Sequence, residues 1–273
     1  MATQTAAYDD QPDPPDDAFV TDEDYAWNTN VLFGPEIRRI YRDVVADRFQ
    51  NADMPPHAAP LFDVNFGPYR NDRDFLGDFY NSILHQDTCN QFTADGVPLL
   101  AALAVDDRVP ARHRMELVEI LFSIATVPDR RLAECWPQTP PHADPDGEAR
   151  ATATAEQQAP QLLARWDTEC AAVRLALTAV AVVFPTQRTL PALTPRLQGF
   201  IAQHPAGTDI GDYVRFALVL AADDADAVHA SVETLTDTHW KATPRAAPTR
   251  ARALHLLDQM LFKVKRELAT QNR

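Results

Sequence analysis

His85, Gln86, Asp87 and Thr88 put four polar side chains on consecutive positions. An imidazole beside a carboxylate can line a ligand groove. The same residues can also cap helix ends, with His85 on a terminal carbonyl and Asp87 or Thr88 on the next free amides. A His–Asp pair becomes catalytic only with a nucleophile, and spacing identifies none. Tyr69-Arg70-Asn71-Asp72-Arg73 is a second polar cluster, either a salt-bridged turn or a recognition loop. Trp166, like Trp27, Trp136 and Trp240, falls near the end of an expected element, where an indole packs or stacks. Asp223, Asp224, Asp226 and His229 could gather a divalent cation, although acids at a helix start already answer the macrodipole. His113 and Glu116, one turn apart, read as a solvated helix face. These residues give no catalytic group, no metal site and no cofactor. Tyr69, Arg70, Asp72, His85, Gln86, Asp87 and Trp166 are the candidate ligand- or partner-binding positions.

Charge narrows the class of partner. The chain has 273 residues and a formal net charge of −14. Residues 1–30 sum to −8, residues 241–273 to +6, and the remainder to −12. A protein that grips phosphates is basic over its binding domain, so the acidic body argues against nucleic acid and for a partner with a basic surface. Residues 1–24 combine aspartates with prolines and read as a disordered acidic tail. That tail lacks the basic start and apolar core of a secretory signal. The apolar run Ala171 to Phe184 is too short to span a bilayer. Cys89, Cys135 and Cys170 form no CxxC, which points to reduced thiols and a cytoplasmic protein. Oligomeric state is not legible.

The elements that would position these residues are helical. With 8 Gly and 22 Pro, hairpin-rich sheets and Gly-rich phosphate cradles are disfavoured, and helices stopped by prolines are expected. Pro35 opens a helix with Ile37, Ile40, Tyr41, Val44 and Val45 on one stripe. Asp74 can cap another that ends near Leu84. Thr88-Cys89-Asn90-Gln91 fits a capping box before a helix running to Ala104. A further helix starts at Ala111. Residues 137–160 hold five prolines and no Leu, Ile, Val or Phe, and read as an exposed linker with at most a weak helix near 148–158. It would separate N-terminal helical repeats over 25–136 from C-terminal ones over 161–273. Four or five helices complete the chain. The last carries Leu254, Leu257, Leu261, Val264 and Leu268 at three- and four-residue steps. The fold class is all-α.

One internal signal is sharper. Val173-Arg174-Leu175-Ala176-Leu177 recurs 41 residues later as Val214-Arg215-Phe216-Ala217-Leu218, with acids upstream of both copies. Arg252-Ala253-Leu254 echoes it 37 residues beyond Arg215, and Arg114 heads an equivalent helix 60 residues before Arg174. A period near 40 with two helices per unit marks a solenoid of antiparallel helix pairs. An Arg in each unit, reaching an acid of the adjacent turn, would form a ladder: Asp167 with Arg174 and Asp209 with Arg215.

With its His85-Gln86-Asp87-Thr88-Cys89 turn, followed by Ala94, Val97-Pro98, Leu100 and Leu103, the chain resembles HEAT-like (PBS-lyase-like) repeat proteins of high-GC bacteria over roughly residues 74–235. The 22 Arg against 3 Lys agree with such a genome. The resemblance implies a HEAT-like α-solenoid that binds a partner protein through its concave face without catalysis. The alternative it leaves open is a HEAT-like enzyme. One form is DNA glycosylase-type, with Asp87 or Asp72 near an exposed nucleotide and Trp27 or Trp166 stacking. The other is a small-molecule biosynthetic enzyme.

Overall fold

The computed structural model describes residues 35–49, 53–55, 58, 83–85, 88–133, 143–185, 190–239 and 246–270. The acidic tail, the Tyr69–Arg73 cluster, the Asp74 cap, Gln86 and Asp87 lie outside the described residues.

Nine α-helices carry almost all of the described secondary structure. They are α1 (Pro35–Arg48), α2 (Thr93–Ala104), α3 (Ala111–Ala133), α4 (Pro145–Leu163), α5 (Ala171–Val183), α6 (Leu190–Gln203), α7 (Asp209–Ala221), α8 (Ala225–His239) and α9 (Thr249–Thr270). All-α is therefore correct as a class. One small exception sits beside the first polar cluster. Leu84–His85 (β1) and Thr88–Cys89 (β2) pair antiparallel, with Leu84 opposite Cys89 and His85 opposite Thr88. Thr88 thus belongs to a tight hairpin and not to a capping box. The start of α2 is fixed two residues further on. There the Phe92 N–H donates to Asn90 Oδ1 (2.8 Å), and the Asn90 N–H donates to Thr93 Oγ1 (2.9 Å).

The region expected to be a linker is a correction of substance. Residues 145–163 form the 19-residue helix α4, opened by Pro145 at its first turn. Its buried stripe is Ala151, Ala155 and Ala159, one residue per turn. Alanine is the best helix former. A methyl side chain also lets α4 lie close against α2, whose Ala101 and Ala104 are buried in turn. A segment without large aliphatics can therefore be core when its small residues keep helical spacing. Arg131 of α3 closes the packing by a bidentate pair with Glu148, which is buried at 2 % exposure.

Successive helices form hairpins: α2 with α3, α4 with α5, α6 with α7 and α8 with α9. The second helices also pack on one another in order, α3 on α5, α5 on α7 and α7 on α9. A strict nearest-neighbour array would stop there. Here α9 also lies against α3 and α5, so the fourth hairpin returns to the first. Leu254, Leu257, Leu261, Val264 and Leu268 are all at most 1 % exposed on a helix that packs against three second helices and not one.

Turns between hairpin arms are tightly built. Before α7, Thr208 Oγ1 accepts the Gly211 N–H (3.0 Å) and donates to the Pro205 carbonyl (2.8 Å). Gly207 takes the left-handed region at φ 90°. A Cβ on Gly211 would stand 2.1 Å from the Pro205 oxygen and 2.7 Å from the His204 oxygen, both backbone atoms. Gly211→Ala is expected to cost about 1–3 kcal/mol, the usual penalty for forcing atoms into packed space. A urea-unfolding midpoint equal to that of the parent protein would refute it.

Candidate functional site

The arginines of the repeat do fix register, but through carbonyls as much as carboxylates. Arg174 Nε donates to the Trp166 carbonyl at 3.0 Å. Arg215 donates to the carbonyls of His204 (3.0 Å) and Gly211 (2.8 Å). Arg114 donates to the Val109 carbonyl and also reaches Glu169 at 2.8 Å. Each of these three arginines thus ties down an oxygen ahead of its own second helix, at Val109, Trp166 or His204, and Arg215 also reaches Gly211 in the first turn of its helix. Arg252 holds Glu233 of α8 at 2.5 Å. The expected acid ladder is accordingly corrected. Asp167 pairs with Arg196 of α6 at 2.8 Å, and Asp209 borders a cleft with Lys263, Arg266 and Glu267 of α9.

Of the candidate ligand residues, the structure describes Trp166 and the backbone of His85. Trp166 is core, 3 % exposed, with the Arg196 guanidinium 5.7 Å from its ring centroid. His85 is held by its backbone in the β hairpin. Tyr69, Arg70, Asp72, Gln86 and Asp87 fall outside the described residues. In the Asp223–His229 segment, Asp224 Oδ1 accepts the N–H groups of Asp226 (3.0 Å) and Ala227 (3.1 Å), an N-cap for α8. Among the described residues no group of three His, Cys, Asp or Glu is placed to hold a metal ion.

The structure instead assembles a row of ionisable groups of which only Glu116 stands out in the sequence. On α3, Arg112, Glu116, Glu119, Ser123, Thr126 and Arg130 alternate four- and three-residue steps, a polar stripe beside the apolar one. On α9, His255, Asp258 and Lys265 keep the same phase. The two stripes meet. Lys265 Nζ donates to Glu119 Oε2 at 2.6 Å, and Ser123 Oγ lies 3.3 Å from Asp258 Oδ1. Arg130 Nη1 approaches Asp258 Oδ2 at 3.9 Å, and Arg130 Nη2 donates to the Ser123 carbonyl at 2.9 Å.

The electrostatics of this seam follow from its half-buried, acid-rich character. Burial raises the Glu119 pKa against the pull of Lys265, and Asp258 adds to the rise. Burial works against the Lys265 charge, yet the carboxylates of Glu119, Glu116 and Asp258 outweigh it and leave its pKa raised. At the N-terminal end of α3, His113 was expected to be solvated but is 3 % exposed, edge-on to Tyr41 with ring centroids 6.2 Å apart. Burial and then the positive charge of Arg112 drive the His113 pKa down to about 3. Burial and the nearby Glu116 push the Tyr41 hydroxyl well above its ordinary range. A neutral imidazole and a neutral phenol therefore fill this corner at pH 7.

A three-to-four alternation of polar residues within α3 was legible before folding. An amphipathic helix usually turns such a face outward, as expected for His113 and Glu116. Lys265 and Asp258 of α9 meet Glu119, Ser123 and Arg130 along it, and Tyr41 of α1 packs on the neighbouring His113. No family model, curated protein or solved structure significantly matches the chain. The seam therefore has to be interpreted from its own chemistry. No described helix is long and apolar enough to cross a membrane.

Proposed function

We propose that the chain is a non-catalytic scaffold of HEAT-like construction, an α-solenoid of helix pairs whose last pair folds back on the first. It binds, through its concave face, a partner protein that presents a basic surface. The observation that supports this reading is the repeated hairpin with an arginine on its second helix, at Arg114, Arg174, Arg215 and Arg252. An open array of such repeats offers an extended surface for macromolecules, and here the last pair covers part of it. The −12 charge of residues 31–240 supplies the complementarity that would steer a basic partner.

The ionisable groups described above are engaged with one another, in Arg114–Glu169–Arg165, Arg131–Glu148 and Lys265–Glu119. That is the pattern of structural ion pairs and not of a poised acid and base. A glycosylase-type enzyme would need a positive groove and a free aromatic. Trp166 is covered by its own neighbours and cannot stack an extruded base.

The test is affinity purification of the full chain from its native lysate at two ionic strengths, with cross-links mapped by mass spectrometry. The expected result is one stoichiometric protein, cross-linked to second helices and released as screening rises. Retention of no stoichiometric protein, or retention indifferent to salt, would sink the proposal.

A further inference from the structure

We draw no further inference here: the strongest candidate, the open cleft between the start of α7 and the last turns of α9, sets the acids Asp209 and Glu267 against the bases Lys263 and Arg266 and already has its Ile210 N–H taken by Glu267 at 2.7 Å, so nothing in the structure shows what ligand it would take.

Discussion

Glu169→Ala should destabilise the fold by about 3–5 kcal/mol, the cost of stranding a buried charge by removing its partner. The Glu169 carboxylate is fully buried, and the Arg114 side chain is 6 % exposed at 2.8 Å from it. Arg165 joins from the other oxygen at 3.1 Å. The pair links α3 to the turn before α5, and so joins the first hairpin to the second. Without Glu169, two guanidiniums share the space and Arg114 keeps its bond to the Val109 carbonyl alone among these contacts. Urea titration followed by circular dichroism measures the loss. Glu169→Gln should fall between the two, because an amide still accepts a hydrogen bond without carrying charge. The double change Arg114→Met with Glu169→Leu should recover much of the difference, since removing both charges also removes their desolvation cost. A loss under about 1 kcal/mol in Glu169→Ala would place the pair with exposed salt bridges and contradict its burial.

Acidification should weaken the protein through His113. In the folded chain this imidazole stays neutral down to about pH 3, held there by burial and by Arg112. In the unfolded chain it takes up a proton near pH 6.5, its ordinary value. Between those two points the unfolded state binds more protons than the native state, so stability falls as pH falls. The fall is at most about 1.4 kcal/mol per pH unit from this residue. Between pH 6.5 and 5 the loss should be about 2 kcal/mol. His113→Gln has no such proton to take up, so its stability should change less over that interval, whatever its level at pH 7. Urea midpoints for both proteins at pH 7 and pH 5 decide the matter. Parallel losses in the two would show that other groups, and not His113, set the acid response.

Much of the local structure could be read along the chain, because it depends on residues close in sequence. Pro35 at a first turn, the apolar phase of Ile37, Tyr41, Val44 and Val45, and the stripe of the last helix are all short-range signals, and each gave its helix. The offset between Arg174 and Arg215 likewise marked two second helices. Three features were not legible, each for a different reason. The stripe Ala151, Ala155 and Ala159 is too small to register as core until α2 is placed against it. The partner of each arginine was sought among acids nearby in sequence, whereas the unsatisfied oxygens of the preceding turn appear only once the hairpin bends. His113 and Glu116 read as a solvated face, since nothing local reveals that Tyr41 of α1 will pack on His113 or that Lys265 of α9 will face Glu116.

The sequence by itself determined that the chain is helical, that its helices come as pairs, and that an arginine recurs on the second helix of each. These depend on periodicity and capping within a few turns. The tertiary structure alone decided that the fourth pair returns to the first. That closure sets Lys265 on Glu119 across 146 positions, and it turns a charged helix face into a half-buried seam. Contacts at that separation leave no periodic trace, because their free energy comes from surfaces that exist only after both helices have formed.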